Sequence, residues 1–232
     1  MTTPGRLVAS GRDADIFEYG PGLVLRRSRT GRSLAGEARV MAYARDHGFP
    51  VPAVEELSHN GRDLVMERVD GPDMVSLMSR RPWCLRRSGS LLADLHRRLH
   101  QIPGPEWLPV ASVVGGATLV HMDLHPLNVI MGPRGPAVID WANAGRGEAA
   151  ADVAVTWALL ASGEVPTGRV LGALLGRMRA ALLQGFLDGV DRPAARRRLP
   201  EAVAWKVRDA HLSPVEQASM RRLALAEGAA TG

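Results

Sequence analysis

The chain has 232 residues, 46% hydrophobic and 23% charged, which is ordinary for a soluble globular protein and long enough for one large domain or two lobes. Its single cysteine, Cys84, excludes an intrachain disulfide and any multi-cysteine metal site. The net charge of +5 rests almost wholly on arginine, with Lys206 the one lysine; the basic residues are scattered and only 4% of residues are aromatic, which argues against nucleic acid as the main partner.

Arg196-Arg197-Arg198 is the one basic triple and reads as a solvated face. No basic segment leads into an apolar one at the N-terminus, and no apolar run reaches 18 residues. Export and membrane insertion are therefore not expected, and a cytoplasmic location is.

Residues 1–31 read as short antiparallel strands. Leu7-Val8-Ala9 begins one, Ser10 to Asp15 is polar, and Ile16 to Tyr19 alternates again. Gly20-Pro21-Gly22 then turns the chain into Leu23-Val24-Leu25-Arg26. Residues 33–47 read as a helix with Ser33 as N-cap and Gly48 just past its end. Leu34, Ala38, Met41 and Ala42 are spaced for one buried face, with Glu37 beside it. Phe49-Pro50-Val51-Pro52 breaks that helix. Asp63 to Gly71 is a strand running into a turn.

Residues 72–102 are mostly helical, and Pro103 ends the helix. Leu91, Leu92, Leu95, His96, Leu99 and His100 recur at helical spacing, and the two histidines read as helix-face residues packed near the loop that follows. Residues 150–190 and 193–228 read as amphipathic helices joined by Gly189 to Pro193. Val153, Trp157, Leu160, Leu171, Leu174, Leu175, Met178, Leu182 and Leu183 form their core stripes.

Residues 117–141 carry the chemistry. Ala117 to Val120 is a strand. His121, Asp123, His125 and Asn128 follow on a polar loop. Val129-Ile130-Met131 and Ala137-Val138-Ile139 are strands joined by the turn Gly132-Pro133-Arg134-Gly135, and the second ends on Asp140. Such a hairpin is expected to bring Asn128 and Asp140 to one spot beside Asp123. An amide carbonyl and a carboxylate are hard ligands suited to Mg²⁺. A second carboxylate can orient a hydroxyl and take its proton, which is the layout of phosphoryl transfer. The same residues leave another reading open. His121, Asp123 and His125 could be three ligands of a catalytic metal such as zinc, as in a metal-dependent hydrolase.

The spacing His121-x-Asp123-x-x-x-x-Asn128 matches a kinase catalytic loop. His121-Met122-Asp123-Leu124-His125-Pro126-Leu127-Asn128, followed by Val138-Ile139-Asp140-Trp141, resembles the aminoglycoside phosphotransferase and choline kinase family. The resemblance implies an α+β, two-lobed protein-kinase-like fold, with a small β-rich N-lobe over residues 1–70 and a mainly helical C-lobe over residues 71–232, residues 63–71 looking like the hinge between them. It implies transfer of the γ-phosphate of ATP, with GTP as the alternative nucleotide, to a hydroxyl of a small molecule. Asp123 would be the base, and Asn128 and Asp140 would hold Mg²⁺.

By the same resemblance, Arg26 stands where the family has a phosphate-binding lysine, and Glu37 would pair with it. Lys206 is too far along the chain to fill that role on sequence grounds. Ser10 and Gly11, with Arg12 as helper, occupy the phosphate-covering loop without a glycine-rich motif. Met66 would lie behind the adenine, with the main chain of Glu67 and Val69 bonding it. Asp152 would cap the next helix or bond the catalytic loop. The absent lysine and thin glycine loop also fit a non-catalytic, kinase-like nucleotide-binding protein. Residues 151–232 carry eight acidic and eleven basic side chains, which lends no support to a polycationic acceptor.

Overall fold

A computed structural model describes residues 4–11, 13–111, 115–163 and 169–229, without the side chains of 169–175. Arg12 and the side chains of Leu171, Leu174 and Leu175 thus lie outside the described residues. The chain divides into two compact units: Met1–Pro72 with Val129–Ala142, and Asp73–Asn128 with Asn143–Gly232.

The first unit is a five-stranded antiparallel sheet with one helix and a hairpin. Its strands are β1 (Leu7–Ser10), β2 (Ala14–Glu18), β3 (Leu23–Ser28), β4 (Val54–Leu57) and β5 (Asp63–Glu67), in the order β1-β2-β3-β5-β4. Gly20 and Gly22 both take positive φ, which makes the tight β2–β3 turn possible. Helix α1 (Ala35–Asp46) buries Glu37, Ala38, Val40, Met41 and Ala44. Ala42, expected on that face, is exposed; the buried stripe runs through Val40 and Ala44 instead. The cap residue is Leu34, and Ser33 accepts the Ala35 N–H from one position earlier. Gly48 turns the chain at φ +75°, as the helix stop required.

Residues 129–142 group with this first unit, whereas a single division near residue 70 would assign them to the other part. Strand β7 (Val129–Gly132) pairs with β8 (Gly135–Val138), Val129 opposite Val138. Met131 N–H donates to Pro72 O and Val138 N–H to Pro50 O. Gly71 runs so close to Met131 that a Cβ would lie 2.2 Å from its carbonyl oxygen.

The second unit holds α2 (Met74–Arg80), α3 (Leu85–Leu99), the strand β6 (Thr118–Val120) paired with β9 (Gly145–Gly147), and helices α4 (Ala149–Ser162), α5 (Arg169–Leu187), α6 (Arg192–Lys206) and α7 (Pro214–Ala229). Each of the two expected C-terminal helices is thus two. Between α6 and α7, Ser213 and Glu216 form a capping box: Ser213 N–H donates to the Glu216 carboxylate, and Glu216 N–H donates to Ser213 Oγ. Helix α4 is buried nearly all round because α5, α6 and α7 pack against it. Among the described residues, no helix is long and apolar enough to cross a membrane.

Helices α3 and α5 approach at two glycines. A Cβ on Gly89 would lie 2.1 Å from Leu182 O, and one on Gly185 would lie 2.1 Å from Arg86 O. Both obstacles are backbone, so neither can swing away. Gly89→Ala and Gly185→Ala should each lower unfolding free energy by about 1–3 kcal/mol, read from denaturant midpoints. Gly36→Ala, at an exposed helical site with nothing within 4 Å, should not destabilise.

Candidate active site

In the first unit, β3 carries Arg26 opposite Ile16 of β2 and Leu64 of β5, in the middle of the sheet. Its side chain is 13% exposed and meets Glu37 of α1, 6% exposed, with Nη1 donating to Oε1 at 2.6 Å. Nη2 reaches Asp140 Oδ1 at 3.4 Å, and Nε is buried without a hydrogen bond among the described residues. Burial pushes the Glu37 carboxyl up, the Arg26 charge opposes that, and Asp140 adds to it. Asp140 sits just past β8 at φ +64°, a left-handed conformation that disfavours most L-residues. Trp141 anchors the turn: it is buried, its Nε1 donates to Val138 O at 3.1 Å, and its ring meets Phe49 edge-on.

The polar turn between β1 and β2 closes on itself. Gly11 N–H donates to Ala14 O, Ser10 Oγ donates to Asp15, and Arg29 donates to Ser10 Oγ and Gly11 O. Met66 is buried on β5, and Val69 is half-buried two residues beyond the strand. The Glu67 N–H donates to Ala53 O, while its carboxylate accepts from Ala53 N–H and pairs with Arg45 and Arg134. A cleft of about 230 Å³ is lined by Arg45, Glu67, Val69, Arg134 and their neighbours. It includes none of Ser10, Gly11, Arg26, Glu37 or Asp140, so it is a separate feature from that ionic group.

In the second unit, the loop after β6 carries Asp123 and Asn128 together. Asn128 Nδ2 donates to the Asp123 carbonyl oxygen at 2.9 Å, which leaves its own Oδ1 to act as an acceptor or ligand. Met122, between His121 and Asp123, takes φ +63° with its side chain buried. What holds this strained residue is Asp152, in the first turn of α4. Asp152 accepts from Met122 N–H at 2.6 Å, His121 N–H at 3.1 Å and His100 Nε2 at 2.9 Å. Burial works against its charge. The His100 hydrogen bond and the nearby His96, His100 and His121 rings outweigh burial and hold the carboxyl well below its usual range. Asp152 thus bonds the loop, one of the two roles expected for it.

His96 is wholly buried behind the same loop. Its Nε2 meets Thr156 Oγ1 at 3.0 Å, and that hydroxyl donates to Leu124 O at 2.8 Å. Burial depresses the imidazole to about 4. The expected helix-face histidines therefore brace the loop.

The three-ligand zinc reading of His121, Asp123 and His125 does not hold. His121 is buried, while Asp123 and His125 are partly exposed and 3.8 Å apart. Among the described residues, no group of three His, Cys, Asp or Glu side chains is placed to hold a metal ion.

Sequence reasoning missed Lys206. It closes α6, and its Nζ lies 2.9 Å from Asp123 Oδ1 and 3.1 Å from Asp209 Oδ2. Burial disfavours the ammonium, and the two carboxylates more than offset this and raise its pKa. The available signal was its rarity: one lysine among 29 basic residues.

A sequence model of the phosphotransferase enzyme family matches residues 5–113 and 110–199. The chain belongs to that family. Curated protein sequences return no match. Among solved structures, aminoglycoside phosphotransferase APH(2″)-Ib, ADP-bound, aligns at 14% identity with a TM-score of 0.63, covering 97% of this chain and 93% of that one. A choline/ethanolamine kinase family protein from Mesorhizobium loti aligns at 16% and 0.58, covering 99% and 87%. The amicoumacin kinase hAmiN, in complex with AMP-PNP, Ca²⁺ and Ami, aligns at 16% and 0.52, covering 97% and 88%. At these identities the likeness establishes the fold, β-rich in its N-terminal part and helical in its C-terminal part. Family membership supports a phosphotransferase.

The His96 environment sets a pH dependence. Its folded pKa lies below the ordinary value near 6.5, so the unfolded chain takes up the proton first as pH falls. Stability is complete above pH 6.5 and should drop by about 3 kcal/mol on acidification to about pH 4, given roughly 1.4 kcal/mol per pKa unit. Loss of the depressed Asp152 carboxylate adds to the fall at still lower pH. Denaturant midpoints at pH 7 and pH 4.5 measure the effect, and His96→Gln should flatten it.

Proposed function

We propose that this chain is a small-molecule kinase, transferring the γ-phosphoryl group of ATP to a substrate hydroxyl with Mg²⁺. The observation that carries the reading is the buried Arg26–Glu37 pair, 2.6 Å long, with Asp140 beside it. Burying two charges is costly unless they serve each other closely, and here each holds the other in place. Among the described residues Arg26 retains one buried donor, Nε, without a partner, and the guanidinium charge suits the α- and β-phosphates. Glu37 positions that guanidinium. Solved relatives carrying ADP or AMP-PNP with Ca²⁺ lend support to a nucleotide and a divalent cation.

Asn128 and Asp140 are the residues that would hold Mg²⁺. The donor set fits: Asp140 is 43% exposed, and Asn128, tied through Nδ2, keeps its carbonyl oxygen as a hard ligand. When bound, Mg²⁺ would neutralise phosphate charge. Asp123 orients the acceptor hydroxyl and takes its proton. Asp152 keeps that loop in its strained form by holding two of its N–H groups. Ser10 and Gly11 contribute the loop over the phosphates, and Met66, Glu67 and Val69 the adenine contacts. The acceptor is a hydroxyl-bearing small molecule.

Calorimetric titration with ATP, with and without Mg²⁺, tests the nucleotide half of this reading. Binding should require Mg²⁺ in the wild type and lose that requirement in Asp140→Ala. Absence of ATP and GTP binding would refute the kinase function. Asp123→Ala should keep ATP affinity within about twofold and lose transfer by roughly 100-fold or more; retained turnover would remove Asp123 as the base.

A further inference from the structure

We infer that Lys206 is a positioning residue for Asp123, gripping Oδ1 so that Oδ2 is presented to the acceptor hydroxyl. The inference rests on the kinase reading above and adds to it a residue from outside the catalytic loop. Among the described residues, the two basic side chains beside the carboxylate both lie nearest the same oxygen. Lys206 Nζ lies 2.9 Å from Oδ1 and His125 Nε2 lies 3.8 Å from it. Among the described residues Oδ2 accepts no hydrogen bond, and the side chain is 16% exposed. Asn128 meanwhile holds the Asp123 carbonyl. Backbone and carboxylate are therefore each fixed from a different side, and one oxygen is left over.

The ammonium is itself constrained. Lys206 is 3% exposed and sits in the last turn of α6, between Asp123 and Asp209. Asp209 is braced in turn by His211, whose Nδ1 and backbone N–H both lie 2.9 Å from Oδ1. The chain uses arginine at every other basic position, 28 of 29. Its one lysine stands where two carboxylates converge on a buried point. A compact ammonium with three rotatable donors fits between them, whereas a planar guanidinium is larger and has a fixed fork. A general preference for arginine does not account for lysine at this one place.

A lone pair of the acceptor oxygen forms the new O–P bond to the γ-phosphorus. The bond from that phosphorus to the β,γ-bridging oxygen breaks, and its electron pair leaves on ADP. The acceptor proton passes to Asp123 Oδ2. Transfer of this kind depends on alignment, and a displacement of about 1 Å can cost 100-fold. Lys206 supplies alignment of the base without touching the reacting atoms.

The single lysine also makes the test specific. Biosynthetic incorporation of ¹³C,¹⁵N-lysine yields one set of side-chain resonances. Asp123→Asn should shift the Lys206 Cε and Nζ signals, and signals unmoved by that change would overturn the proposal whether or not the chain turns over ATP. Kinetically, ADP release is followed with water and with a panel of simple polyols and amino alcohols as acceptors. Lys206→Met should keep Mg·ATP affinity within about twofold while kcat falls roughly 10- to 100-fold. Lys206→Arg should restore part of the loss, which a purely structural lysine would not predict if both variants melt alike. Turnover of Lys206→Met within twofold of wild type, or a wild type that binds Mg·ATP yet releases no ADP, overturns the proposal. Failure of the wild type to bind nucleotide would instead overturn the kinase reading, and the resonance shift would still decide whether the pair forms.

Discussion

A fully buried carboxylate, Asp152, organises the loop that follows β6. It takes hydrogen bonds from two consecutive backbone N–H groups and one imidazole. Without it, Met122 would have no reason to stay at positive φ, a region costly for a long side chain. That backbone turn separates buried His121 from partly exposed Asp123. His96 and Thr156 extend the support to Leu124, so two helices, α3 and α4, clamp consecutive parts of the loop. Buried networks of this sort are stable only when satisfied throughout, which makes the loop rigid and acid-sensitive together.

The first unit solves a related problem with opposite charges. Arg26 faces inward from the central strand, where burial of an unpaired guanidinium would be prohibitive. Glu37 from α1 meets it, and Trp141 against Phe49 holds the turn that brings Asp140 alongside. A guanidinium brings to this group a planar fork that can serve both carboxylates, which a point-like ammonium would not. The only lysine is instead at Asp123, in the second unit. The chain thus assigns its two kinds of cation to two different tasks.

Four of the five strands of the N-terminal part, the helix carrying Glu37 and the hairpin before Asp140 were legible, because each depends on local signals: alternation, glycine turns and apolar spacing; β4, with two exposed glutamates among its four residues, was not. The His-x-Asp-x-x-x-x-Asn loop was legible for the same reason. Errors arose where local signals were ambiguous. Helices α6 and α7 read as one because the chain stays helix-prone through Val207, and the Ser213–Glu216 capping box was overlooked. Ala42 was misplaced because residues 40 and 44 fit the helical period as well as 38 and 42 do.

The sequence by itself determined the family, most of the N-terminal elements and which chemically capable residues lie close together in the chain, because each is a short pattern of chemical types. Only the tertiary structure decided which distant groups hold those residues. Asp152 lies 30 positions beyond Met122 and Lys206 lies 83 beyond Asp123. No periodicity spans such distances. Those pairings arise because burial leaves each charge one affordable place, beside an opposite charge or a hydrogen-bond donor supplied by another element.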